Sequence, residues 1–376
     1  MTIVKTKFPG HLAVQQRVLP VYRVPFFDTL AEACDGGVSL FAGDPLAVES
    51  IATTQKLNFA QYIHVKNRHI LRGSLYLCYQ QNLIPWLENT NPDALILEAN
   101  PRYLATPTAI KWMRARNRPV IGWGLGAPQR AGILAGVQKK NWTRFLNKFD
   151  ALIAYSKRGA ADYASLGYPR ERLFVAHNSV ASKPKGEIPQ RPLYKANEPL
   201  IILFVGRLQA RKRLDNLILA LEKMPEELML RLWIVGDGPE RNSLEKLAAP
   251  MNSKKLERIR FFGERHGAEL DHIWAESDLF VLPGTGGLAV QEAMSHALPV
   301  MVAKGDGTQD DLVRAENGWQ IPPDDLNSLI VTLRDAVSDI YRLRKMGAES
   351  WRIVREEVNV EKMADVFVEA LKQVCP

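Results

Sequence analysis

Apolar residues in this chain follow two rhythms. Short unbroken runs alternate with stretches in which apolar positions recur every third or fourth residue. The second half shows this most clearly. "PLIILFVG" (Pro199–Gly206) is an apolar, β-rich run closed by glycine, and Leu214 to Met224 carries apolar residues at helical spacing. "LRLWIVGDG" predicts a strand and turn, Glu240 to Ala249 a helix, "RIRFFG" a strand, Ala268 to Glu276 a helix and "DLFVLPG" a strand. Leu288 to Ala297 predicts a helix, and "PVMVA" and "GWQI" two more strands. Strands that are apolar on both faces and separated by helices imply a parallel sheet covered on both sides.

The first half repeats the pattern less cleanly. "AVQQRVLPVYR" holds a first strand, and "PFFDTLAEAC" (Pro25 to Cys34) opens a helix. "VSLFAG", "DALILEAN", "PVIGWGLG", "DALIAYS" and "RLFVAHNSV" are further strands with helices between them. The proline- and charge-rich stretch "ASKPKGEIPQRPLYKANEP" reads as a linker. The expected architecture is α/β, with two Rossmann-like, doubly wound domains: residues 1–185, a linker over 186–198, and residues 199–357. The tail from Asp324 to Cys375 is nearly all helical, and its last helix, about 358–376, is expected to pack back on the first domain.

Composition narrows the class. With 376 residues, 46% hydrophobic and 24% charged, the chain has the profile of an ordinary globular protein with two cores. No apolar run approaches the ~20 residues that span a bilayer. The start, "MTIVKTKFPG", lacks the apolar core of a signal peptide, so a cytosolic location is the default expectation. Cys34, Cys78 and Cys375 form neither a metal-ligand spacing nor a disulfide framework. The net charge of +8 is uneven: residues 1–180 hold 22 Lys and Arg against 11 Asp and Glu, about +11, and the remainder is about −3. That asymmetry points to an anionic partner for the front half, or to a generic basic surface.

Candidate chemistry lies at strand ends, where open α/β sheets bind ligands. Gly206, Arg207 and Lys212 follow the first strand of the second domain. The glycine permits close backbone approach, and two cations beside helix starts suit a diphosphate in a cleft between domains. The alternative is that both cations are surface charges. "PGTGGLAVQEAM" (Pro283 to Met294) places glycines before a helix, so its backbone N–H groups and positive end can meet an anion. Glu292 lies one turn beyond Leu288 on that helix. It either accepts hydrogen bonds from vicinal hydroxyls of a ribose or merely complements the helix start.

Five separated blocks then point one way. "FVGRLQARKRLDNLILAL", "LWIVGDGPERNSLEKLA", "IRFFGERHGAEL", "ESDLFVLPGTGGLAVQEAMSHALPV" and "DDLVRAENGWQIPPDDLNSL" run in order over roughly Leu200–Ala336 and resemble the C-terminal half of family 4 glycosyltransferases of the GT-B fold. "VQQRVLPVYRVPFFDTLA" and "DALIAYSKRGAADYASLGYPRERLFVAHNSV" resemble the front half more loosely. The resemblance implies transfer of a sugar from a nucleotide-sugar with retention at the anomeric carbon, without a metal or other cofactor. It sets Arg207 and Lys212 on the family's paired phosphate-binding cations, and Glu292 on the second glutamate of its two-glutamate motif, the one contacting the donor ribose. Gly206, Gly284, Gly286, Gly287, Leu288 and Ala289 then approach the phosphates and sugar, and Glu264 to His266 lie near the nucleotide base.

Two departures stand out. Eight positions before Glu292, where the family usually has its first glutamate, this chain has Gly284. Where many relatives carry a histidine, this chain has Trp123, Gly124, Leu125 and Gly126. Trp123 either stacks on a sugar ring or belongs to the core. Arg23 either meets an anionic acceptor or serves structure, and Glu98, Asn100 and Arg102 either meet an acceptor or cap the next helix. His177 and Asn178 end the last strand of the first domain, where relatives border the donor cleft. Lys111, Arg114 and Arg118 share a helical face, and "QRAGILAGVQKKNWTRFLNKF" mixes Arg130, Lys139, Lys140, Arg144 and Lys148 with Ile133, Leu134, Trp142, Phe145 and Leu146. These segments are either ordinary domain helices or basic surfaces for an anionic membrane face, where lipid-linked acceptors reside. Nucleic acid is not an expected partner, since no motif accompanies the charge. Three readings remain: a glycosyltransferase acting on a carbohydrate or lipid-linked acceptor in surface-polysaccharide or glycan assembly, a catalytically weak or inactive scaffold of the same fold, and an epimerase acting on the donor alone.

Overall fold

A computed structural model describes residues 7–49, 51–71, 73–127, 135–193, 198–252, 257–286, 288–305 and 307–375. The chain divides into two compact units, residues 1–182 with 360–376, and residues 183–359.

The first unit is built on a seven-stranded parallel sheet. Its elements run β1 (Leu12–Val18), α1 (Val24–Glu32), β2 (Val38–Gly43), β3 (Gln61–Val65), a hairpin of β4 (Asn67–Ile70) and β5 (Leu77–Gln80), α2 (Leu83–Thr90), β6 (Ala94–Glu98), α3 (Thr106–Arg114), β7 (Val120–Gly124), α4 (Ala135–Leu146), β8 (Ala151–Ala154), α5 (Lys157–Ser165) and β9 (Leu173–Val175). The strand order is β3-β2-β1-β6-β7-β8-β9. Central strands such as β2 are buried along their whole length, which is why their sequences read as unbroken apolar runs. The sequence reading did not include β3, β4 and β5. Their residues are mostly exposed or half-buried, so little apolar patterning marks them.

The second unit repeats the plan with β10 (Leu200–Val205), α6 (Leu214–Glu222), β11 (Leu230–Val235), α7 (Arg241–Ala248), β12 (Ile259–Gly263), α8 (Ala268–Glu276), β13 (Leu279–Leu282), α9 (Leu288–Ser295), β14 (Val300–Ala303), α10 (Thr308–Leu312), β15 (Gly318–Ile321), α11 (Leu326–Val337) and α12 (Ile340–Glu356). Its sheet order, β12-β11-β10-β13-β14-β15, is that of a dinucleotide-binding fold, with β10 pairing β13 through Ile202–Leu279 and Leu203–Phe280. On α6, Leu214, Leu217, Ile218 and Leu221 are buried at one-turn spacing against the sheet. Asp325 and Asp339 start α11 and α12 by accepting bonds from Ser328 N (2.9 Å) and Arg342 N (3.0 Å). The segment read as a linker groups with this unit.

The last helix, α13 (Val360–Val374), returns to the first unit. Its Phe367 meets Phe26 of α1 and Trp123 of β7, each at 4.9 Å between ring centres, and closes one of the two cores of that unit. The other core, on the opposite face, gathers Phe41, Trp86, Ile110, Phe145 and Leu146.

Candidate active site

The strand order of the second unit reverses between β10 and β13, so the loops leaving them diverge and open a crevice. A cavity of about 520 Å³ lies there. Gly206 and Arg207 come to it from β10, Gly236 to Gly238 from β11, Glu264 to His266 from β12, and Glu292 from α9. The first two loops are locked together. Gly206 N donates to Val235 O at 3.0 Å, and Leu208 N to Asp237 O at 2.9 Å. Gly236 adopts φ 126°, and a Cβ there would overlap the Gly206 carbonyl oxygen. Asp237 turns inward on its own loop, accepting from Gly238 N (2.6 Å) and Arg241 (2.9 Å), which holds its carboxyl below the usual range.

Arg207 is exposed at the cavity wall. Lys212 is half-buried, and desolvation, with Arg211 adding to it, pushes its ammonium down to about 8. It does not line that cavity. Its Nζ sits against Gly286, in the turn that leads into α9. Leu288 and Ala289 open α9, half-buried at its positive end; Gly287 lies outside the described residues. Burial is the main cause that pushes the Glu292 carboxyl above its usual range. The Trp274 indole acts in the opposite sense without reaching hydrogen-bonding geometry. Trp274 stacks on His296 at 5.6 Å and 13°. Thus Gly206, Arg207, Glu264 and Glu292 share one cavity, while Lys212, Gly284 and Gly286 share the turn before α9.

In the first unit the structure corrects several expectations. Trp123 is 1% exposed and packs among Phe26, Tyr155 and Phe367, so its ring offers no face to a sugar. Arg23 is 5% exposed, and its guanidinium lies over Trp123 (5.1 Å) and Tyr155 (5.6 Å) and donates to Asn178 Oδ1. Its charge serves the core, since aromatic faces and an amide oxygen solvate it there. Gly124 stands against the Tyr163 hydroxyl and Ala99. Asn100 folds its side chain back onto Arg102 N (3.1 Å) and caps no helix. Arg118 lies beyond the end of α3, bonded to Asn91 and Pro92, so it does not share a helical face with Lys111 and Arg114. Phe145 and Leu146 of α4 are core residues, whereas Lys139, Lys140 and Arg144 are exposed; Arg130, Ile133 and Leu134 lie outside the described residues.

The sequence reading named Glu98 but missed its partners Arg17 and Glu49, with which it forms a polar cluster at the carboxyl ends of β1 and β6. Arg17 forms a two-pronged pair with Glu49 (2.7 and 2.9 Å), and Arg17 N donates to Glu98 at 2.6 Å. Burial pushes the Glu98 carboxyl up, with Tyr103 and Arg17 acting against it. The available signal was "QQR" inside an apolar strand: Gln15 and Gln16 are both buried. It also missed Gln309, which donates to Gly286 O at 3.1 Å, and Arg191, which donates to Ser277 O, Ala297 O and Trp274 O. Among the described residues no group of three or more His, Cys, Asp or Glu is arranged to hold a metal ion, and no helix is long and apolar enough to cross a membrane.

Comparison with known proteins agrees with this geometry. Residues 187–350 match the family model for glycosyl transferases group 1. The chain is 34% identical over 148 residues to the sulfoquinovosyl transferase SQD2 of Arabidopsis thaliana, covering 38% of this chain and 27% of that one. It is 22% identical over 327 residues to LpsE, a lipopolysaccharide core biosynthesis glycosyltransferase of Rhizobium meliloti, covering 82% and 94%. It thus spans about a quarter of the first relative and nearly all of the second. Among solved structures, HepE of Anabaena in complex with UDP superposes with a TM-score of 0.69 at 17% identity, covering 96% and 99%. The fold is GT-B, and the match to glycosyl transferases group 1 lies in the second unit.

Proposed function

We propose that this chain is a retaining glycosyltransferase that moves a sugar from a nucleotide-sugar to a carbohydrate or lipid-linked saccharide in surface-polysaccharide or glycan assembly, at the cytoplasmic side of the membrane. The observation that carries the reading is the convergence, at the ends of β10 and β13, of Arg207, Glu292, the start of α9 and a lysine held on a glycine turn. A nucleoside diphosphate fits that set. Its phosphates take the cations and the helix start, its ribose hydroxyls donate to Glu292, and its base lies along Glu264 to His266.

In the transfer step the bond between the sugar's anomeric carbon and the phosphate oxygen breaks. The acceptor hydroxyl oxygen bonds that carbon from the same face, and its proton passes to the departing phosphate oxygen. Arg207 and Lys212 neutralise the charge that develops there, in the role a metal plays elsewhere. The acceptor is held by the first unit, at the strand ends where Arg17, Glu49 and Glu98 cluster.

The test is a thermal-shift panel of UDP, GDP, ADP and TDP and their sugars on the wild type, Arg207→Ala and Glu292→Ala. One nucleotide should stabilise the wild type and lose most of its effect in both variants. Sugar transfer or slow donor hydrolysis should follow with retained configuration by NMR, unchanged by EDTA. Tight binding by Arg207→Ala, or binding without any turnover, overturns the reading.

A further inference from the structure

Gly284 stands where the family motif carries its first glutamate, and the packing around it leaves no room for a side chain. A Cβ on Gly284 would overlap the Arg211 carbonyl oxygen and the Lys212 carbonyl carbon, and would lie 2.6 Å from Lys212 Cα. Thr285 N donates to that same Arg211 oxygen at 3.0 Å. One residue on, Gly286 adopts φ 126°, a conformation that favours glycine. A Cβ there would overlap Lys212 Nζ and lie 3.3 Å from its Cε. The Gly286 carbonyl accepts from Gln309 Nε2 at 3.1 Å. Gln309 is 3% exposed at the start of α10. The turn is therefore gripped by the 211–212 backbone, by an ammonium and by a buried amide.

We propose that Gly284–Gly286 is a seat for the Lys212 ammonium, kept in register by Gln309, and that this seat, built where the family has a carboxylate, presents the ammonium to the donor diphosphate. The inference rests on the nucleotide-sugar reading above. Each glycine removes an atom that would otherwise push the 211–212 segment or its ammonium away. A fixed ammonium meets the phosphates without first losing its side-chain freedom. Putting the glutamate back does not restore the relatives' contact, because its Cβ displaces the backbone that carries Lys212. Gln309 is a positioning residue that acts through Gly286.

The test is calorimetric titration of the full chain with UDP and GDP at pH 7. The variants are Gln309→Ala, Gly284→Ala, Gly284→Glu, Lys212→Ala and the doubles Gly284→Ala/Lys212→Ala and Gln309→Ala/Lys212→Ala. Lys212→Ala should bind about 100-fold more weakly and Gln309→Ala about 10-fold. Both Gly284 variants should fall between these two. Each double should bind no more weakly than Lys212→Ala alone, because both changes remove the same seated ammonium. A purely structural defect would add instead. Wild-type affinity in Gln309→Ala and Gly284→Ala, or additive losses in the doubles, overturns this inference and leaves the nucleotide reading standing. A wild type that binds neither nucleotide overturns both. If the Gly284 variants do not fold, the Gln309→Ala cycle decides alone.

Discussion

Lys212 keeps its ammonium on Gly286 at an electrostatic cost. Desolvation and the neighbouring Arg211 push it down to about 8, and the glycine turn offers no carboxylate to oppose them. A bound diphosphate pushes it back up. Binding above pH 8 therefore takes up a proton, and nucleotide affinity should fall about tenfold per pH unit as the pH rises beyond 8. Titrations from pH 7 to 10 should show this slope in the wild type and a weaker, flat profile in Lys212→Ala. A flat wild-type profile would remove the desolvated lysine from the site. Glu292 is shifted the other way, upward. Its folded-state carboxyl is raised by burial, so stability is lost as the pH rises from the unfolded value through the raised one, and the ionised form is the one burial disfavours. Glu292→Gln should raise the melting temperature at pH 7 by roughly 2 °C, while weakening nucleotide binding about tenfold. Calorimetry with and without nucleotide separates the two effects; a variant neither more stable nor weaker in binding contradicts both roles. These residues were legible because each is a charged residue in a glycine-containing loop after a strand or in the helix that follows it. Position near a strand end misled at Arg23 and Trp123, whose side chains face a core. Gln309 and Arg191 were invisible because their partners lie 23 to 106 positions away.

At the scale of elements, α9 carries Glu292 and takes its starting position from the glycine turn, but its other end needs a support too. Arg191 provides it. Its guanidinium donates to Ser277 O (2.9 Å) and Trp274 O (2.8 Å) at the end of α8, and to Ala297 O (3.1 Å) just past α9. A cation suits two helix C-termini, and one planar fork reaches three carbonyls. Burial, with Arg344 nearby, pushes it down to about 10, so it is charged at neutral pH. Arg191→Ala should cost about 2–4 kcal/mol in urea unfolding, because it strands carbonyls of buried residues. Arg191→Lys should recover only part, since an ammonium cannot reproduce the fork. A loss below about 0.5 kcal/mol would mean water replaces the guanidinium without cost. Strands and helices of the second unit were readable because its central strands β10, β13 and β14 are buried on both faces and its longer helices on one. The edge strand β3 and the short α10 were not, since an exposed strand and a single-turn helix bury too little to pattern a sequence.

At the scale of the whole molecule, the order of blocks along the chain was enough to anticipate two doubly wound sheets, because parallel strands need helical crossovers and leave few topologies. The charge pattern carries what the fold does not. The first 180 residues are about +11 and the rest about −3. Lys111, Arg114, Lys139, Lys140 and Arg144 are exposed, while the apolar residues Phe145 and Leu146 beside them are spent in the core. A membrane would thus meet α3 and α4 mainly through charge, with Val137 the large apolar side chain that α4 leaves exposed. Attraction of that kind acts over a Debye length of about 10 Å at 0.1 M salt and shrinks as salt rises. The full chain should sediment with vesicles of phosphatidylcholine containing about one quarter phosphatidylglycerol at 50 mM salt and be released by 300 mM. It should ignore pure phosphatidylcholine throughout. Charge reversal at Lys139, Lys140 and Arg144 together should abolish sedimentation without moving nucleotide affinity, because those residues belong to the other unit. Binding that survives 300 mM salt, or that persists on neutral vesicles, would require more apolar insertion than the single exposed Val137 of α4 supplies.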